Sequence, residues 1–195
     1  MKQTNTKASF FFTGRFYRNP AFQIIIQKIK ANGNYLGAHS NEHLLYCDWT
    51  KRDSLLVTKQ EFKADLQKNY DELKKFEVAK SSAHFFLPPY EWYNDSIASW
   101  TKEMNLQLVN YTPGTLSHAD YTTPDEKNYR NSNTILQSIT NFEQTHSGGL
   151  NGFILLMHIG TDARRTDKFY NLLPQLIQWL KQEDYKLVRI DELLK

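Results

Sequence analysis

The sequence predicts a parallel α/β fold, either a barrel or a doubly wound sheet, in a single domain spanning residues 1–195. Three observations predict it. Short apolar runs alternate with amphipathic helical stretches along the whole chain. Polar residues able to do chemistry stand directly after several of the runs. No linker, internal repeat or low-complexity stretch breaks the pattern.

The first run, Ala8-Ser9-Phe10-Phe11-Phe12-Thr13, is closed by Gly14 and reads as a buried strand. Pro20 opens a helix through Phe22, Ile25, Ile26 and Ile29, ending near Gly33. Tyr35-Leu36-Gly37-Ala38 is a second strand running straight into His39. Thr58 and Glu61 have capping-box spacing, and the helix behind them sets Phe62, Leu66, Tyr70 and Leu73 on one face. His84-Phe85-Phe86-Leu87 is a third strand, stopped by Pro88-Pro89. A helix over 95–102 leads to the strand Leu106-Gln107-Leu108-Val109. Residues 111–130 have no period and form the longest loop, and long loops in compact domains are often functional. A helix over 132–142 follows. Gly152-Phe153-Ile154-Leu155-Leu156-Met157 reads as the clearest buried strand and ends at His158. An amphipathic helix over 169–181, a strand over 185–189 and a closing turn from Asp191 complete the order.

The 195 residues carry 24 basic and 21 acidic side chains, a formal charge of +3 spread along the chain, so no basic block predicts nucleic-acid binding. Aromatics make up 14%, enough to build both a core and sugar-stacking platforms. The one cysteine, Cys47, excludes an internal disulfide and a Cys-rich zinc site, and reads as a small core residue. No apolar run reaches the length of a membrane span. The start, residues 1–7, is polar and has no apolar signal core; either the protein stays inside or the chain is a piece of an exported one.

Three groups of residues at strand ends carry the chemistry. His39 and His43, four apart in His39-Ser40-Asn41-Glu42-His43, can aim two imidazoles at one point and so hold zinc or a similar cation; the bland alternative is two surface histidines. A carboxylate would be the third ligand, and Asp48 is the nearest by sequence, unless it caps the turn before Trp49. In Leu87-Pro88-Pro89-Tyr90-Glu91-Trp92-Tyr93, two prolines make a rigid wall. The Tyr90 N–H beyond them can serve an oxyanion, and Pro89, Tyr90 and Trp92 can flank a sugar, although a packed aromatic turn would look the same. His158, held at a rim by a buried strand, suits a general acid, or it is a satisfied structural histidine.

Taken together these segments resemble the NodB-homology polysaccharide deacetylases, carbohydrate esterase family 4. Ala8-Ser9-Phe10-Phe11-Phe12-Thr13-Gly14 resembles the family's A-T-F-F-x-x-G strand, and His39-Ser40-Asn41-Glu42-His43 its His-Ser/Thr-x-x-His motif. Leu87-Pro88-Pro89-Tyr90 resembles its R-P-P-Y motif, and Leu155-Leu156-Met157-His158 its L-L-x-H motif. The stretch from Leu173-Pro174 to Leu194 resembles its closing segment. The resemblance implies a distorted (β/α) barrel and an amino-sugar glycan as substrate. It also implies a divalent metal, usually zinc, on His39 and His43. Tyr90 N–H would hold the oxyanion, His158 would protonate the leaving amine, and Tyr90 and Trp92 would line the groove. Export from the cell is implied as well.

The departures are specific. The family's first strand carries an Asp pair, base and third metal ligand, and this chain starts too late to contain it; nothing in residues 1–7 is acidic. The groove Arg is Leu87 here. The Asp that orients the catalytic His aligns with Asn110. The stretch 112–122 has no counterpart in the common pattern, and its Asp120 either replaces a lost carboxylate in part or caps the loop, the cap being the simpler reading. Three functions follow: an N-deacetylase of an amino-sugar glycan, a non-catalytic carbohydrate-binding relic of the fold, or a metal hydrolase of a non-sugar amide. The aromatics Trp49, Tyr90 and Trp92 favour a sugar.

Overall fold

The computed structural model describes residues 4–195; the first three residues of the polar start lie outside them. The chain divides into two compact units, and each is described by itself.

The first unit comprises Lys7–Asn110 with Val188–Lys195. Its sheet is built from β1 (Ser9–Phe12), β2 (Tyr35–Ala38), β3 (Phe85–Phe86) and β4 (Gln107–Leu108), all parallel, in the order β1-β2-β3-β4. Parallel strands covered on both faces need near-continuous apolar sequence, which is what Ser9–Phe12 and Phe85–Phe86 supply. The register pairs Phe12 with Ala38, Ala38 with Phe86, and Phe86 with Leu108, so all four strands end on one level. His39 and Leu87 are the next residues beyond that level, and the segment 88–92 continues from it.

The helices of this unit are α1 (Gly14–Arg18), α2 (Gln23–Ala31), α3 (Lys59–Lys74) and α4 (Asp95–Glu103). The capping box forms as expected. Thr58 Oγ1 accepts from Glu61 N at 3.2 Å and Glu61 Oε2 accepts from Thr58 N at 2.7 Å, so two orphan donors of α3 are satisfied reciprocally. Phe62, Leu66, Tyr70 and Leu73 are buried on one face of α3, and Asp65 and Asn69 are buried with them. Sequence patterning overlooked α1, although Thr13 caps it by accepting from Phe16 N. The buried Cys47 behaves as a core residue.

The second unit comprises Tyr111–Leu187 with residues 4–6. It contains α5 (Ser132–Thr145) and α6 (Leu173–Gln182), packed through Ile135, Ile139, Leu150, Phe169, Leu176 and Leu180. The last helix, α7 (Ile190–Leu193), returns to the first unit, where Ile190 N donates to Ser9 Oγ at 2.8 Å.

Two expected strands do not form. Residues 153–157 belong to no ladder, and they are half-buried rather than fully buried. Thr112 N donates to Ile154 O at 3.1 Å, and Ile154 N donates to the Thr112 hydroxyl at 3.0 Å. Phe153, Leu155 and Met157 alternate onto the cluster between α5 and α6, so the apolar run is satisfied by helix packing on one face. Residues 185–189 behave alike, with Tyr185 and Leu187 on the same cluster. Periodicity alone reports burial, and it cannot report whether a hydrogen-bonded neighbour exists. No helix among the described residues is long and apolar enough to cross a membrane.

Candidate functional site

The loop after β2 carries both histidines and is fastened from beneath by α3. The Asp65 carboxylate accepts from Ser40 Oγ at 2.6 Å, from Asn41 N at 2.9 Å and from Glu42 N at 3.0 Å. Asn69 Oδ1 accepts from His39 N at 2.8 Å, and Asn69 Nδ2 donates to Phe12 O at the end of β1. Ser40 and His43 hold positive φ, 65° and 57°, a conformation that costs a non-glycine residue about 1 kcal/mol or more. Charge-assisted bonds from a nearly buried carboxylate offset that cost and fix the loop.

His39 Nδ1 lies 2.8 Å from Leu87 O. A carbonyl only accepts, so Nδ1 carries the proton and Nε2 presents its lone pair. That Nε2 stands 3.2 Å from His43 Nε2. Two nitrogens on one tetrahedral zinc, each about 2.0–2.1 Å from it, stand about 3.3 Å apart, so the donor pair fits a shared cation. Among the described residues no group of three His, Cys, Asp or Glu side chains is arranged to hold a metal. Asp48 caps its own turn: Oδ1 accepts from Thr50 N, Thr50 Oγ1 and Lys51 N, at 2.8, 2.7 and 2.8 Å, and these bonds, the Thr50 hydroxyl first, hold its carboxyl below the usual range. Glu42, between the histidines, is engaged by Arg15 at 2.7 Å and Arg18 at 2.5 Å, and the Arg15 contact leads in lowering its pKa.

Beyond β3 the chain forms an aromatic wall. Pro89 is buried, Tyr90 is exposed and Trp92 is half-buried. Tyr90 and Glu91 also take positive φ, 60° and 54°. Tyr90 sits in a short 3-10 turn, Pro89–Glu91, where the early N–H groups have no intrahelical partner. Its ring meets His43 edge to face at 4.4 Å. The structure thus brings His39, His43, Tyr90 and Trp92 together at the strand ends of one unit.

His158 lies in the second unit, where its partner is Asp120. Asp120 Oδ1 is 2.7 Å from His158 Nδ1, and Oδ2 accepts from His158 N at 2.8 Å. The carboxylate is 1% exposed and the imidazole 32%, so a buried acceptor fixes the proton on Nδ1. The expectation that Asp120 merely caps its loop is therefore corrected. Asn110 does something else: its Nδ2 donates to Glu91 O at 3.0 Å. The loop bearing Asp120 is pinned by Arg165, fully buried, which donates to Thr122 O at 2.8 Å and Arg130 O at 3.0 Å. His118 stacks on Tyr111 at 4.5 Å, its Nδ1 is buried without a hydrogen bond, and burial pushes its pKa down.

The family model described as polysaccharide deacetylase matches residues 1–109, more than half of the chain. The chain belongs to the polysaccharide deacetylase family. Over its whole length it is 26% identical to a bifunctional xylanase/deacetylase of Pseudobutyrivibrio xylanivorans, and it spans 27% of that protein. Its fold is similar to that of a carbohydrate esterase family 4 pseudoenzyme from Bacillus anthracis, at 21% identity and a TM-score of 0.68 over 100% of this chain and 57% of the other. It is also similar to a family 4 acetyl xylan esterase from Clostridium thermocellum solved with a cobalt ion, at 20% identity and a TM-score of 0.71 over 98% and 78%. The α/β class with a parallel sheet, expected as the distorted barrel of this family, is the fold these structures share with this chain.

Sequence reading missed Asp65, Asn69 and Arg165. For the first two a signal was present: both lie on the α3 stripe with Phe62, Leu66, Tyr70 and Leu73, and a polar residue on a buried stripe needs a partner.

Proposed function

We propose that this deacetylase-family chain holds one divalent cation, zinc by its nitrogen donors, on His39 and His43 and removes N-acetyl groups from an amino-sugar glycan. The observation that carries the reading is the 3.2 Å approach of the two Nε2 atoms, with the His39 tautomer set by Leu87 O. A cation there supplies Lewis-acid polarisation of the acyl carbonyl. Tyr90 N–H donates to the oxygen that becomes negative as water adds to that carbonyl and gives up its proton to solvent. Within the second unit, Asp120 keeps His158 in the Nδ1–H tautomer and favours its imidazolium, the state a general acid needs. Tyr90 and Trp92 line the sugar groove over the buried Pro89.

Two observations favour a second reading, a domain that binds glycan without turnover. No third ligand joins the histidine pair among the described residues, and the fold is similar to that of a pseudoenzyme. One experiment separates the readings. Metal content of the purified chain and of a His39→Ala, His43→Ala variant is measured beside acetate release from tetra-N-acetylchitotetraose and from acetylated xylan. About one ion per chain, lost in the variant, together with acetate release that also disappears, supports the deacetylase. Glycan binding without acetate release supports the second reading. Metal retained by the variant removes the histidines from the site.

A further inference from the structure

From the ring geometry beside His43 we infer that Trp49 is a sugar-stacking subsite, which takes the apolar face of a pyranose ring adjoining the acetylated unit and makes the protein prefer oligomeric to monomeric glycan. This rests on the carbohydrate reading above but does not require turnover.

Trp49 is 54% exposed, although an indole is among the costlier side chains to leave in water. Its exposure is not the result of a slack loop. Asp48 caps the turn through Oδ1, and Asp48 N donates to Ser54 O at 2.9 Å while Leu56 N donates to Tyr46 O at 2.9 Å across the base of the excursion. Trp92 Nε1 donates to Asp48 O at 3.2 Å. Arg52 lies over the Trp92 ring at 4.3 Å, donates to Tyr93 O at 2.6 Å, and is itself held by Asn94 Nδ2 on its carbonyl at 3.1 Å. Against this frame Trp49 has Trp92 beside it at 5.8 Å, tilted by 31°, and Tyr90 edge-on at 5.3 Å. Beside these two rings the Trp49 side chain stays more than half exposed.

The Tyr90 ring that touches Trp49 also touches His43 at 4.4 Å. Two ring contacts in series therefore separate Trp49 from the histidine pair, a reach that suits a neighbouring sugar ring rather than the acetyl group itself. A pyranose presents C–H groups on its face and hydroxyls at its rim. An open indole face matches the first and leaves the second in water. A side chain already fixed in place loses little entropy when the sugar arrives, so the contact adds affinity efficiently.

The test uses the full chain with EDTA, so that binding is read without turnover. Tryptophan emission and calorimetry follow titration with tetra-N-acetylchitotetraose, acetylated xylotetraose and the corresponding monosaccharides. The expected result is a shift in emission and a tighter Kd for a tetramer than for its monomer. Trp49→Ala should weaken tetramer binding about tenfold and collapse the tetramer-to-monomer ratio, while Trp49→Phe restores part of it. Thermal midpoints of both variants control for folding. Neither tetramer binding better than its monomer overturns the inference, as does a ratio unchanged in Trp49→Ala. A ratio that depends on Trp49 in a chain that releases no acetate upholds the subsite and refutes the deacetylase.

Discussion

Replacing Asp65 tests whether the histidine pair depends on what lies beneath it. The Asp65→Ala variant leaves three donors, Ser40 Oγ, Asn41 N and Glu42 N, without their acceptor in a site where Ser40 is fully buried. An orphaned buried donor costs about 1–3 kcal/mol, and the loop can recover part of that by turning the two backbone groups to water. A net loss of about 3 kcal/mol in unfolding free energy is expected, read from denaturant curves. The loop also loses the force that holds Ser40 and His43 at positive φ, so the two imidazoles should no longer be presented together. Metal affinity, read by competition with a chromogenic chelator, should fall about 10–100-fold, the usual effect of removing support behind a ligand. Asp65→Asn should fall between, at about 1–2 kcal/mol, because one carbonyl oxygen still accepts while the amide NH2 faces a donor. Unchanged metal affinity in Asp65→Ala, in a variant that has lost stability, would show that the loop geometry is not what brings the nitrogens together. Unchanged stability would refute the burial argument itself.

Asp120→Asn should lower the pKa of His158, because a neutral partner no longer favours the imidazolium; ring-proton NMR titration reads it directly, and an unshifted curve would remove Asp120 from its positioning role. Ile139→Ala, at a fully buried site between α5 and α6, should cost about 3 kcal/mol. Leu156→Ala should cost only about 1 kcal/mol, since Leu156 is half-buried and no ladder holds its segment; equal losses would restore the buried strand. The pH dependence follows from Glu42, whose folded-state pKa lies below its ordinary 4.5 because Arg15 and then Arg18 engage it. Its contribution is complete above pH 4.5 and is lost as pH falls through the lower, folded-state value. An Arg15→Ala, Arg18→Ala variant should therefore show a smaller fall in thermal midpoint between pH 5 and about pH 3 than the parent, and identical acid profiles would sink the assignment.

Most of the first unit was legible because its signals are local. The runs at 9–12, 35–38 and 85–86, the Thr58 capping box and the α3 stripe each specify their element within a few residues. The structure adds the parallel register, which sets His39 and Leu87 just past one level. The second unit was less legible. Phe153, Leu155 and Met157 look like strand sequence because an extended segment packing one face on helices has the same period of two as a strand in a sheet. Only the partner distinguishes the two cases, and the partner is not encoded in the segment.

The same asymmetry runs through the candidate site. His39 and His43 could be named from a spacing of four, but what holds them is remote in sequence: Asp65 and Asn69 lie 23–30 residues on, and Leu87 O lies 48 residues on. His158 could be named from the run before it, whereas Asp120, 38 residues earlier, sits in a loop with no period at all. Ligands and acids are identified by residue type, so sequence displays them. Their tautomers and orientations are fixed by acceptors whose type is ordinary, a carbonyl at Leu87 or one carboxylate among many. Asp65 and Asn69 were the supporting residues that sequence could have exposed. A charge on a stripe that otherwise holds Phe62, Leu66, Tyr70 and Leu73 has to be paired, and its partners are the backbone N–H groups of a loop with two positive φ values.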